Sequence, residues 1–404
     1  MHPMVKPALR RGWRDLNTVQ FGMAPAHALV LGPMDIATGG LLALLDGTRG
    51  LPLLRDEGDR MGLPEGHVDT LVERLAESGL LDDATGGGPA AAALREKEAV
   101  MERLRPDLAA LSLVARGPGA DMERLTARRT LRVQVRGAGR VGATLAALLA
   151  GAGVGQIDVR DGGRVEPKDV TPGGLPAESV GERRDLAARR AVRRAAPDRP
   201  PRASASPAQE EEPGFSLVIL APRNGVDVHA PDPADAEHLI TSGTPHLYAG
   251  VVEGTGIVGP LVLPGETGCA GCLDQERCDR DEYWPRLVAQ WRSGRRHRVE
   301  ACDLALASTV AGLAAAHALA FLDGQLPSSA GARWEVSAPG FVWHARPLGP
   351  HPACPCAATG EDNEERTTPE GGEPDGTMTE QHPASSSSRT AHAARRSGTW
   401  RAHV

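Results

Sequence analysis

The chain has 404 residues, 41% hydrophobic and 24% charged, with only 3% aromatics; this leaves length for two domains and a tail, with cores built mainly from Leu, Val and Ala. A net charge of -7 gives no footprint for nucleic acid, and the arginines of 189–194 read as the solvated face of a helix. No window reaches the roughly 18 uninterrupted apolar residues of a membrane span, and the first residues lack the apolar core of a secretion signal, so a cytoplasmic protein without a membrane partner is expected.

Residues 1–84 read as a small α+β module. Residues 16–22 and 27–31 alternate as a hairpin around Ala24-Pro25-Ala26. A helix carrying Ile36, Leu41, Leu42, Leu44 and Leu45 follows and stops near Asp46-Gly47. Another begins at Pro64, repeats Val68, Leu71, Val72 and Leu75 at helical spacing, and ends at Gly79-Leu80-Leu81. Residues 85–99, glycine- and alanine-rich, read as a flexible linker, and a helix over 96–114 leads into an α/β domain over 100–356. Strands are predicted at 131–135, 157–159, 215–220, 246–252, 254–264, 332–337 and 341–345. Helices are predicted at 143–151, 181–196, 233–242, 281–293 and 301–322. Strands alternating with helices imply a Rossmann-like α/β fold with a mostly parallel sheet. Residues 197–214 read as a mobile surface excursion and 357–404 as a disordered tail, because neither holds enough apolar residues to offset the entropy of ordering.

Two constellations carry chemistry. The first is Gly137-Ala138-Gly139-Arg140-Val141-Gly142, set between a strand and a helix, with Asp161 after the next strand. Glycines at this spacing allow a tight turn, a close approach of backbone N–H groups to a phosphate, and helix packing on the sheet. The helix N-terminus favours phosphate, and Asp161 stands where a carboxylate accepts ribose hydroxyls. The second is two cysteine pairs, Cys269 with Cys272 and Cys354 with Cys356. Grouped cysteines in a reducing compartment imply metal, and four thiolates complete a closed tetrahedral site for structural zinc. C-x-x-C is also a redox motif, but here it follows a strand after Gly265. Cys278, in a charged segment, reads as a plain exposed cysteine or a reactive thiol, Cys302 as core, and His351 as a substitute metal ligand.

The order of elements in 1–84, ending in Gly79-Leu80-Leu81, resembles the PqqD-like winged-helix modules called RiPP recognition elements. That resemblance implies capture of a leader peptide as an added strand; a winged helix with a structural or dimerising role stays open beside it. The glycine turn, Asp161 and the late cysteine pairs together resemble the ThiF/MoeB/HesA superfamily of ubiquitin-activating-enzyme-like adenylyltransferases. The resemblance implies binding of ATP and Mg²⁺, attachment of AMP to the C-terminal carboxylate of a peptide or small protein, a structural tetracysteine zinc, and a homodimer. Gly137, Ala138, Gly139 and Gly142 match the phosphate loop, Asp161 matches the ribose acid, and the phosphate lysine falls near Arg183 or Arg184. The chain departs from the pattern elsewhere: Gly163 replaces a second acid, Asp169 stands at an asparagine, Pro172 at an arginine, and Arg223-Asn224 at the magnesium-binding Asp-Asn pair.

Two functions therefore follow from the resemblance. One is an adenylyltransferase acting in ribosomal peptide natural-product maturation, its missing groups supplied by Arg183, Asp227 or a partner subunit. The other is a degenerate member that binds a leader or precursor peptide as a scaffold for a partner modification enzyme. An NAD-dependent oxidoreductase shares the glycine loop but lacks a catalytic His or Tyr-Lys pair nearby and leaves the cysteines unexplained.

Overall fold

The structure, a computed structural model, describes residues 1–198, 214–293 and 299–359. The excursion expected over 197–214 lies almost wholly outside the described residues, as does all but the start of the 357–404 tail. The chain divides into two compact units, Met1–Phe215 and Ser216–Val404.

In the first unit, β1 (Pro3–Val5) is followed by β2 (Arg11–Trp13), β3 (Val19–Phe21) and β4 (Leu29–Leu31), which form an antiparallel three-stranded sheet in that order. Three helices follow, α1 (Ile36–Leu44), α2 (Leu51–Arg60) and α3 (His67–Glu77), before β5 (Leu81–Asp83) returns antiparallel to β1. The Asp35 carboxylate caps α1 by accepting from the Thr38 N–H at 2.7 Å, satisfying one of the donors a helix start leaves open. On α3 the buried residues are Val68, Leu71, Val72 and Leu75, the positions the helical spacing singled out, and they pack with Val19 and Phe21 of β3 and with Leu41 and Leu54.

The stretch expected to be a flexible linker is instead ordered. Helix α4 (Gly88–Arg95) starts with a proline in its first turn and continues through the alanine run. Alanine is the strongest helix former and proline is favoured at a helix start, so the composition that suggested a joint also suits a short helix. Ala91 and Leu94 are buried with Leu104 of α5 (Glu98–Val114) and Leu125 of α6 (Ala120–Arg128). Polar contacts reinforce the connection. Lys6, 2% exposed, donates from Nζ to the carbonyls of Ser112 at 2.5 Å and Ala115 at 3.2 Å, and Asp82 accepts from the Gly119 N–H at 2.7 Å.

The chain then enters β6 (Arg132–Arg136), α7 (Arg140–Gly151), β7 (Gln156–Arg160) and α8 (Arg184–Ala195), with β6 and β7 parallel. Helix α7 is buried on nearly every side, which its Ala, Leu and Gly composition permits.

The second unit runs β8 (Leu217–Leu220), α9 (Gly225–His229), α10 (Pro233–Thr241), β9 (His246–Val252), β10 (Thr255–Val262), α11 (Ala270–Arg280), α12 (Trp284–Ser293), α13 (Leu304–Leu322), β11 (Ala332–Ser337) and β12 (Trp343–Pro347). β8 and β9 are parallel, so both strand pairs flanking the helical crossovers have the expected direction; β10, β11 and β12 then add antiparallel. Helix α13 is long and apolar enough, by length and composition alone, to cross a membrane. Its Leu306, Val310, Ala314 and Ala318 are nevertheless buried, and it packs on β9 and β10.

The junction around Lys6 generates a pH dependence. Burial, and then the neighbouring Asp82, push the Asp121 carboxyl up to about 6, while burial lowers Lys6 against the opposing pull of Asp82 and Asp121. Asp121 binds its proton more tightly in the folded chain than in the unfolded one. Its contribution therefore favours folding below about pH 4 and is lost as pH rises through about 6. Asp121→Asn is expected to remove that loss, so that its melting temperature changes less than the wild type's between about pH 4 and 7. An unchanged pH slope in the variant would show that Asp121 is not the group responsible.

Candidate functional site

The glycine turn lies between β6 and α7 as its sequence required. Gly137 has φ of 100°, in the region only glycine enters without strain, and its N–H donates to the Arg160 carbonyl at 2.9 Å. Gly139 precedes α7 with an ordinary negative φ of -81° and caps it without a side chain, and Gly142 is buried within the first turn.

Asp161 ties this turn together. Its Oδ2 accepts from the Ala138 N–H at 2.9 Å, and its Oδ1 accepts from the Gly163 N–H at 2.9 Å. Arg184, the first residue of α8, places Nη1 3.2 Å from both carboxylate oxygens. The same guanidinium donates from Nε to the Arg164 carbonyl at 2.9 Å and stands 3.6 Å from Asp169 Oδ2. The side chains of Arg184, Asp161 and Asp169 are 6%, 10% and 4% exposed, so this is a buried ion-pair group. The structure thus unites Gly137, Ala138, Gly139, Gly142, Asp161 and Arg184. Arg183 is not in this group: its side chain is 64% exposed and pairs with Asp185 at 2.9 Å. In the second unit Asn224 is spent on capping α9, accepting from the Val226 N–H at 2.9 Å, and burial raises the Asp227 carboxyl above its ordinary value.

The four paired cysteines also converge. Cys269 Sγ lies 3.9 Å from Cys272 Sγ and 3.7 Å from Cys354 Sγ, and Cys272 Sγ lies 3.5 Å from Cys356 Sγ. Four sulfurs each about 2.3 Å from one tetrahedral ion stand roughly 3.8 Å apart, so the set fits a metal ion with no ligand position left open. The His351 N–H donates to Cys272 Sγ at 3.3 Å, the kind of outer contact that steadies a thiolate ligand.

Several expectations change here. His351 is no substitute ligand, because its ring Nε2 is engaged by Asp279 at 2.9 Å. The C-x-x-C does open a helix, since Cys269 caps α11, a helix concealed by its charged composition. What separates it from a lone redox pair is the second pair beside it. Cys278 packs against Ala230, Trp284 and Val288, and burial raises its thiol, the opposite of activation. Cys302 is half-buried just before Asp303, the cap of α13, and is not core.

Sequence reading missed a cationic centre in the second unit. Arg333 on β11, 3% exposed, sits opposite Arg346 on β12, and the Nη1 atoms of Arg333 and Arg277 donate to the same His229 carbonyl at 3.0 and 2.7 Å. Burial and neighbouring guanidiniums push Arg333 down to about 10, and burial with the same charges pushes His229 down to about 4. The alternation of β11, which puts Arg333 and Glu335 on one face, was the available signal.

Cys272→Ser is expected to abolish stoichiometric metal binding, read by elemental analysis, and to lower the melting temperature by on the order of 10 °C. A variant that keeps a full complement of metal would remove the four-cysteine site.

Among solved structures, E. coli MccB in complex with MccA is 15% identical, with 89% of this chain and 100% of that chain covered at a TM-score of 0.63. E. coli MccB with ATP is also 15% identical, covering 88% and 99% at 0.63, and PaaA is 17% identical, covering 86% and 100% at 0.59. These are likenesses of fold. No curated protein sequence matches the chain. The profile of the ThiF family matches residues 114–356, more than half of the sequence and inclusive of the glycine turn and all four paired cysteines; the chain belongs to the ThiF family.

Proposed function

We propose that this ThiF-family protein binds a leader or precursor peptide through residues 1–84, acting as a PqqD-like recognition element, and presents it to a partner modification enzyme in ribosomal peptide natural-product maturation. The observation that carries this reading is β4. It ends the three-stranded sheet and pairs only with β3 among the described strands. Leu29 and Val30 on it are 41% and 50% exposed. An edge strand offers unpaired N–H and C=O groups in register for another chain, and exposed apolar side chains beside them give that chain something to select. Relatives in fold support a peptide partner, since MccB was crystallised with MccA. Residues 100–356 form the ThiF domain in this reading, the four cysteines hold structural zinc, and the protein works in the cytoplasm as a homodimer.

A second reading, adenylyl transfer to a peptide C-terminus with ATP and Mg²⁺, is favoured by the family match and by the fold shared with MccB, which was also crystallised with ATP. The two are told apart on one sample. Leader peptides synthesised from short reading frames beside the gene should bind the full chain, and Leu29→Asp with Val30→Asp should weaken that binding at least tenfold, about 1.4 kcal/mol, without unfolding exposed positions. Unchanged affinity would sink the recognition role. ATP–pyrophosphate exchange stimulated by the same peptide would establish the second reading.

A further inference from the structure

We propose that Arg184 is a built-in occupant of the ribose seat in the glycine-loop site, and that Gly163, Asp169 and Arg184 act together to exclude nucleotide from it. The inference rests on reading Gly137–Gly142 and Asp161 as a nucleotide loop and its ribose acid; it is independent of what the N-terminal module binds.

Acceptor capacity carries the first step. An ionised carboxylate offers about four acceptor positions. Three of those of Asp161 are met from within the chain, by the Ala138 and Gly163 N–H groups at 2.9 Å and by Arg184 Nη1 at 3.2 Å, and the same Nη1 lies 3.2 Å from the other oxygen as an ion pair. A ribose diol aimed at this carboxylate must displace the guanidinium. Displacing Arg184 breaks a buried pairing, for its side chain is only 6% exposed and is also held by the Arg164 carbonyl.

Space carries the second step. A Cβ on Gly163 would fall 1.9 Å from Arg184 Nη2, so any side chain there, including the acid of the related pattern, is incompatible with the guanidinium where it stands. The missing acid at position 163 and the long cation at position 184 are therefore one change. Asp169 belongs to it as well. It replaces an amide with a carboxylate, 3.6 Å from Arg184 Nε, and is fixed by accepting from the Glu166 N–H at 2.9 Å. Three departures from the family pattern, scattered in sequence, meet on one guanidinium. The group of two carboxylates and one arginine keeps a net negative charge, which disfavours a triphosphate.

The test uses the full-length, metal-replete chain, with AMP and Mg·ATP as probes in calorimetry. Wild type should give no saturable binding up to about 1 mM, and Arg184→Ala with Asp169→Asn, which removes the plug without leaving Asp169 as a bare carboxylate, should bind AMP at least tenfold more tightly. A triple variant restoring the family pattern, Gly163→Asp, Asp169→Asn and Arg184→Lys, should do the same while keeping a cation. Wild type binding AMP as tightly as the variants overturns the proposal, as does a folded double variant with no gain. Hydrogen exchange on wild type decides the matter without any variant. The Ala138 and Gly163 amides should be protected equally with and without Mg·ATP, and added protection would mean that nucleotide enters. Leader-peptide binding measured on the same samples reports on the recognition role separately.

Discussion

The carboxylate of Asp161 is the fixed point of the first unit. One side chain holds the end of β6 through Ala138, its own loop through Gly163, and the first residue of α8 through Arg184. Three segments distant in sequence are thereby set relative to one another. Removing one partner of a buried pair typically costs about 3–5 kcal/mol, because the remaining charge is left without compensation. A hydrogen bond from a ribose hydroxyl to a charged acceptor contributes about 1.5–3 kcal/mol. Two such bonds only balance the loss of the arginine, and they leave its charge to be housed elsewhere. Under the proposed exclusion of nucleotide, the self-paired arrangement needs only to match a ribose contact on the same side chains.

The second unit has a different kind of fixed point. Cys269 and Cys354 stand 85 positions apart, and the antiparallel pairing of β10, β11 and β12 brings their segments together, so that a metal would lock a loop the sheet has already closed. The thiols alone do not make an equivalent clamp. Burial raises the Cys354 thiol, which a nearby cation would offset, whereas hydrogen bonding, first from Cys269, lowers Cys272. A bound metal ion would supply the charge that lets four sulfurs share one small volume, and would tie the start of α11 to the segment after β12.

How much of this the sequence disclosed follows from the range of each interaction. The glycine turn and the cysteine pairs were legible because their chemistry is written in spacings of two or three residues. Helix α3 was legible because one face repeats Val68, Leu71, Val72 and Leu75. By contrast, α4 was hidden by the glycines around an alanine run, and α11 by its many charged residues. The role of Arg184 depends on residues at 161, 163, 164 and 169 meeting it in space, and positional matching could say only that a cation lay near 183 or 184. Choosing between those neighbours took burial: one is 64% exposed and the other 6%.

The same distinction bears on how the N-terminal module works. A recognition element on a flexible tether would bind its peptide without informing the rest of the chain. Here β1 carries Lys6 into carbonyl contacts at the end of α5, and β5 carries Asp82 to the amide that starts α6. Lys6 is 2% exposed, and withdrawing a buried charged side chain leaves its carbonyl partners unsatisfied. Displacement of β1 or β5 must therefore be felt at α5 and α6, which lead directly into β6 and the glycine turn. Among the described strands, β4 by contrast pairs only with β3. The module separates an anchoring sheet, β1 with β5, from one with an open edge, β2 to β4, and under the proposed recognition role a peptide would add to the second without disturbing the first.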